Sequence, residues 1–132
     1  MTGGLVAGLG FRHATQADEI LALVRRALAT QAMPLGCLAT AADRAGEPAI
    51  RTVAAVLGVP LIGVPAEALI AVDGRVVTRS SRIAATRGIG SVAEAAALAV
   101  AGSDSALLLP RIASAGATCA LALREESVTQ TP

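Results

Sequence analysis

The amino-acid sequence predicts an α/β fold, a single domain with a central, mostly parallel or mixed sheet of about five strands and helices on both faces. Three observations predict it. Short apolar runs of strand length alternate with segments whose apolar residues recur at helical spacing. The links between them carry the Gly, Pro and Asp residues that stop one element and start the next. The composition is 54% hydrophobic yet holds no Trp or Tyr and one Phe, so Ala, Leu, Val and Ile must fill a core of small residues with close backbone packing. A chain of 132 residues is one domain, long enough to bury about two-thirds of its unfolded surface.

Taken in order, Leu5 to Phe11 reads as a central strand ending in glycines. Ile20, Leu21, Leu23, Val24, Ala27 and Leu28 form a helical stripe between Thr15 and about Thr30, with Asp18 and Glu19 first and Arg25 and Arg26 last, as the helix dipole favours. Pro34 ends that segment, and Leu35 to Ala42 is a second buried strand. A polar link of Asp43, Arg44, Gly46, Glu47 and Pro48 leads to a helix from Ala49 to Leu57, closed by Gly58. Pro60 to Val64 is a third strand, and Pro65 opens a short helical turn through Leu69. Asp73-Gly74, between Ile70-Ala71-Val72 and Val76-Val77, reads as a hairpin turn. Thr78 to Arg87 reads as a loop or a short helix. After a helix from Ser91 to near Gly102, Ala106 to Leu109 and Ala117 to Leu123 are closing strands joined by a link over 110–116. The ordered core is expected over about 4–124, with the tail from Glu125 frayed.

Two corners share one grammar. In Gly88-Ile89-Gly90-Ser91-Val92-Ala93-Glu94, Ser91 and Glu94 have capping-box spacing, and two glycines precede the cap. In Gly8-Leu9-Gly10-Phe11-Arg12-His13-Ala14-Thr15, a glycine pair again precedes a plausible cap, Thr15, with Asp18 three positions on. A helix start with bare glycines beside it suits an anion. The same glycines equally serve a tight turn, with Glu94 a structural cap.

Several chemistries are excluded. A net charge of +1 argues against a general positive field for nucleic acid. Gly8-x-Gly10 is followed by His13 where a dinucleotide fingerprint needs glycine, and no Gly-Lys pair makes a phosphate loop. One His and two distant Cys are too few for a metal centre, so no metal and no cofactor are expected. Cys37 and Cys119 read as free buried thiols. No signal peptide and no membrane-length apolar run are legible, so the expected location is cytoplasmic.

What remains is electrostatic. Every basic residue is Arg, the side chain that grips a carboxylate with two parallel hydrogen bonds. Arg12, Arg82, Arg87 and Arg111 stand near element ends, where open α/β sheets take ligands. Each alone reads as a solvated rim residue; together with the two corners they suit a ligand with several negative groups. His13, in a polar loop, is a candidate general acid or base.

The segments Gly8-Leu9-Gly10-Phe11-Arg12, Leu38-Ala39-Thr40-Ala41, Asp43 with Glu47-Pro48, Leu57-Gly58-Val59-Pro60-Leu61 and Gly88-Ile89-Gly90-Ser91-Val92-Ala93-Glu94-Ala95-Ala96 resemble the CobE family. That family shares its domain with the C-terminal part of CbiG, and both belong to cobalamin biosynthesis. Arg111 stands where the family often has Lys after a Leu-Pro pair, which keeps the cation. The resemblance implies one three-layer α/β/α domain over 1–132, acting on precorrin or corrinoid intermediates, which are macrocycles fringed with carboxylates. The ligand-facing set is then Gly8, Gly10, Phe11, Arg12, Thr40, Arg82, Arg87, Gly88, Gly90, Ser91 and Arg111. Three functions stay open: a binding protein that assists ring contraction or later handling, a hydrolase that opens a precorrin lactone, and a self-associating interaction domain that forms a homo-oligomer. Candidate bases for the second are His13, Asp43 and Glu47; Glu94 is better explained as a cap, and Glu47, before Pro48, as a helix-start acid. Expected partners are the intermediate and other enzymes of the pathway, with no nucleic acid and no membrane.

Overall fold

Strands β1 (Leu5–Phe11), β2 (Leu35–Ala41), β3 (Leu61–Val64), β4 (Leu107–Ala113) and β5 (Ala117–Leu123) form one sheet in the order β3-β2-β1-β5-β4. The structure is a computed structural model that describes residues 4–79 and 89–124. The β1–β2 and β2–β3 pairs are parallel, whereas β5 runs antiparallel to both β1 and β4. The sheet is therefore mixed, and β1 lies at its centre between a parallel and an antiparallel neighbour.

Helices α1 (Ala17–Leu28) and α2 (Pro48–Leu57) share one face of this sheet, where Ile20, Leu23, Val24, Ile50 and Val53 pack on Leu5, Ala7, Leu9, Leu38 and Leu121. Helices α3 (Ala66–Ala71) and α4 (Val92–Ala101) share the other, where Leu69, Ala95, Ala96 and Leu98 pack with Val6, Cys37 and Ala39. The alternation along β1, Leu5, Ala7 and Leu9 against Val6, is the period-two signature of a strand buried on both sides.

Glu94 apart, helix α4 is apolar around its whole circumference, and Val92, Ala93, Ala95, Ala96, Ala97, Leu98 and Ala101 are all buried. Such a helix belongs in the interior. Its close fit depends on Gly8, where a Cβ would stand 2.0 Å from the Ala93 carbonyl oxygen and 2.6 Å from the Ala97 nitrogen. The bare backbone of β1 lets the helix backbone rest directly on the sheet.

Most boundaries expected from the sequence hold within a residue or two, and Gly58 closes α2 in the left-handed conformation, φ 69°. Three expectations need correction. Ile70 to Val77 forms no hairpin: α3 runs through Ala71, and Asp73–Arg75 is a single 3-10 turn. Strands of three and two residues on either side of Asp73-Gly74 offered too little pairing to compete with a continuing helix. Strand β4 runs through Pro110 to Ala113, because an edge strand tolerates a residue without an N–H. Finally, α1 starts at Ala17, and its N-cap position, Gln16, makes no side-chain cap bond. Thr15 donates its hydroxyl instead to the Gly116 carbonyl at 2.8 Å.

Candidate functional site

The parallel strands end together, and the links that leave them gather at one edge of the sheet. There the 12–15 loop meets the β4–β5 turn. Arg12 N–H donates to the Gly116 carbonyl at 2.9 Å, Gly116 N–H donates to Glu19 Oε2 at 2.6 Å, and the Ser114 hydroxyl donates to the same oxygen. The Ser114 and Gly116 hydrogen bonds, with the charge of Arg12, hold the Glu19 carboxyl below its ordinary range against a small desolvation cost. The loop carrying Arg12 and His13 is thus fastened at both ends, while Arg12 and His13 remain exposed.

Two of the three candidate bases meet. His13 Nδ1 lies 2.8 Å from Glu47 Oε2, with the imidazole 82% exposed and the Glu47 side chain 19% exposed. Arg44 Nη1 approaches the same oxygen at 3.8 Å, and its guanidinium lies 5.7 Å from the centre of the Phe11 ring. That distance is within reach of a cation–π contact. The turn between β2 and α2 positions Arg44 and Glu47 through backbone bonds from Arg44 to Ala41 and from Glu47 to Arg44, at 2.9 and 3.1 Å. Asp43 sits in the same turn and is exposed.

The second corner also reaches this edge. Ser91 caps α4 as expected, accepting from Glu94 N–H at 3.2 Å. A Cβ on Gly10 would lie 3.4 Å from Val92 Cβ and 2.8 Å from Thr118 Oγ1, so the start of α4 rests on the end of β1. The two corners therefore adjoin.

Several members of the expected ligand set have other work. Gly8 is covered by α4. Thr40 is fully buried and donates to the Leu9 carbonyl at 2.7 Å. Gly90 N–H donates to Asp73 Oδ1 at 2.7 Å, and the Arg79 guanidinium, paired with Asp73 at 2.7 Å, lies over Gly90. Those hydrogen bonds, from Arg79 first and Gly90 second, hold the Asp73 carboxyl low. Arg111 lies on the edge strand, two strands from β1, and its backbone N–H donates to Glu94. Leu9 and Ile89, apolar residues of the two corners, are core. Phe11 and Arg12 remain at the open edge. Arg82, Arg87 and Gly88 lie outside the described residues.

Glu94 is fully buried, and its carboxylate accepts from Val77 N–H at 2.8 Å, Thr78 N–H at 2.9 Å and Arg111 N–H at 2.9 Å. Burial pushes its carboxyl up, but the hydrogen bonds from Arg111, Thr78 and Val77 outweigh burial and hold it below its ordinary range. It is a clamp joining α4 to β4 and to the segment after the 3-10 turn. This is not the cap read from the sequence: Ser91 Oγ makes the cap bond, and the Glu94 carboxylate serves three donors distant in the chain. Cys37 and Cys119 are free and buried, and burial pushes the Cys119 thiol up to about 12. Among the described residues, no group of His, Cys, Asp and Glu could hold a metal ion, and no helix is long and apolar enough to cross a membrane.

The sequence reading missed Arg44. Its signal was available: an Arg three residues before Glu47, at the mouth of a helix that opens with Pro48, gives the short spacing that brings the two side chains to one side.

Comparison with known proteins places this geometry in a family. The family described as cobalamin synthesis G C-terminus matches residues 5–122. Protein CobE from Sinorhizobium sp. is 42% identical over 122 residues, covering 90% of this chain and 79% of that protein. The crystal structure of a CobE from the cobalamin biosynthetic pathway superposes with a TM-score of 0.85 at 31% identity, covering 93% of this chain and 92% of the other. Cobalamin biosynthesis protein ChiG from Agrobacterium tumefaciens superposes with a TM-score of 0.74 at 35% identity, covering 92% and 99%. A cobalamin biosynthesis protein G homologue from Sulfolobus solfataricus shares the fold, with a TM-score of 0.69 at 22% identity, covering 92% of this chain and 37% of the other. The chain belongs to the family of the cobalamin synthesis protein G C-terminus, together with CobE, and with it to cobalamin biosynthesis.

Proposed function

We propose that this protein binds a carboxylate-rich precorrin or corrinoid intermediate at the edge where β1 and β2 end, and assists ring contraction or the later handling of the ring. One observation carries the reading. Exposed Arg12 and His13, on a loop fastened to the β4–β5 turn, stand beside Phe11 and Arg44 at the carboxyl ends of parallel strands. Open α/β sheets bind ligands at this edge. A guanidinium fork matches a carboxylate in both charge and shape. The Phe11 ring is the aromatic surface the chain can offer to a macrocycle, and charge and backbone donors carry the rest of the affinity.

The His13–Glu47 contact favours a second reading, opening of a precorrin lactone. An imidazole oriented by a carboxylate has the composition of a general-base pair. In such a step, water loses a proton to the imidazole and its oxygen bonds to the ester carbonyl carbon. The ring C–O bond breaks, and the departing oxygen takes the proton back. Incubating the protein with a ring-contracted, lactone-bearing intermediate separates the two readings. Binding alone shifts the absorbance of the macrocycle and leaves its mass unchanged; lactone opening adds one water to the mass, less a two-carbon fragment where one is released with it. Neither change would contradict both.

A further inference from the structure

The chain has one histidine and one aromatic ring, and both lie in the same cluster, bridged by Arg44 and Glu47. Phe11 is half-buried against the core, but core packing does not account for His13, which is exposed. Arg44 itself is held in an uneconomical way. Its Nη1 is buried and has no hydrogen-bond acceptor among the described residues, with Glu47 Oε2 at 3.8 Å. Charge and ring contact, rather than a hydrogen bond, therefore hold this nitrogen beside Glu47 and Phe11.

We propose that His13 presents Nε2 as the proton acceptor of the site, and that Arg44, seated on Phe11, is the positioning residue that makes it do so. The inference rests on the carboxyl-edge site of the proposed function. An ionised carboxylate only accepts hydrogen bonds, so at 2.8 Å from Glu47 Oε2 the neutral imidazole must carry its proton on Nδ1. Its lone pair is then on Nε2, the nitrogen directed away from Glu47. The Arg44 charge attracts the same carboxylate oxygen and limits its swing, while the Phe11 face fixes the plane of the guanidinium. Among the described residues, Arg12 on the loop of His13, Asp43 in the turn of Arg44, and Glu19, within charge reach of Arg12, also bring charge to this edge. When Nε2 acts, the O–H bond of a water or of a ligand hydroxyl breaks, the electron pair stays on oxygen, and the proton forms the new N–H bond. Glu47 then faces an imidazolium.

The single histidine makes the test direct. Nitrogen-15 NMR of the imidazole, on the ligand-free protein at a pH where His13 is neutral, reports which ring nitrogen bears the proton. The Nδ1–H form should predominate in the wild type. Glu47→Ala should shift the tautomer ratio toward Nε2–H by about fivefold, the scale of an exposed charged pair. Arg44→Gln and Phe11→Leu should each shift it part of the way, with Arg44→Lys restoring part of the loss. A wild-type imidazole with its proton mainly on Nε2, or a ratio indifferent to Glu47→Ala, would overturn the proposal. A ratio that responds to Glu47 but not to Arg44 would overturn the positioning role. A corrin-ring acid titrated into the same samples keeps the two readings apart: failure to bind counts against the proposed function, and the tautomer ratio decides this inference by itself.

Discussion

Three backbone N–H groups from two separate segments converge on the buried carboxylate of Glu94. Glu94→Gln places an amide NH2 against at least one backbone N–H and leaves a donor unsatisfied. The expected loss is about 1–3 kcal/mol, measured by urea denaturation at neutral pH. If the variant kept full stability and ligand affinity but lost turnover, Glu94 would be a catalytic base and not a clamp. The same residue sets an acid limit. Its folded carboxyl titrates below the ordinary 4.5, so the unfolded chain binds the proton more readily than the folded one. The stability it contributes is complete above about pH 4.5 and is lost as pH falls through the lower folded value. Glu19 and Asp73 shift in the same direction and add to the same acid limb. Thermal unfolding from pH 7 to pH 3 should show a falling midpoint in acid, shallower in Glu94→Gln. The capping spacing of Ser91 and Glu94 is legible in the sequence, but the donors to the Glu94 carboxylate lie 16 or 17 residues away on either side, and no local pattern encodes such contacts.

Elements were legible where a local rule decides them. Ser91 caps α4, Gly58 ends α2 in the left-handed region, and Leu5–Phe11 and Ala117–Leu123 are strands at their expected bounds. Elements were misread where the deciding partner is distant. Thr15 has the side chain of a cap, yet the Gly116 carbonyl of the β4–β5 turn takes its hydroxyl. Pro110 reads as the end of a strand until β4 is known to be the sheet edge. Two substitutions test the element-level account. Ser91→Ala should lower stability by about 0.5–2 kcal/mol through the lost cap. Gly8→Ala should cost more, about 3 kcal/mol or above, because the new methyl meets helix backbone that cannot rotate away. Gly74→Ala is the control: nothing lies within 4 Å of its Cβ position, and stability should change by less than about 0.5 kcal/mol. Equal effects of Gly8→Ala and Gly74→Ala in chemical denaturation would mean that α4 does not rest on β1 as described.

At the scale of the whole molecule, the fold gathers at one edge of the sheet what the sequence holds far apart. The 8–12 stretch and the Ser91 cap adjoin there, and the 114–116 turn fastens the loop between β1 and α1. Periodicity and turn residues revealed the layers. The interior of the site was less legible, since glycines read as openings for a ligand are filled in three cases by the protein itself, Gly8 by α4, Gly10 by Thr118 and Val92, and Gly90 by Arg79. What survives at the open edge is charge, led by Arg12. The direct test is a titration of a corrin-ring polycarboxylic acid into the wild type and Arg12→Ala, followed by macrocycle absorbance at low and at high salt. A charge-assisted hydrogen bond contributes about 1.5–3 kcal/mol where water is excluded and less at a wet rim. Removing Arg12 should therefore weaken binding about tenfold at low salt, and wild-type affinity should fall as salt rises. Equal affinities in all four conditions would contradict a carboxylate site at this edge.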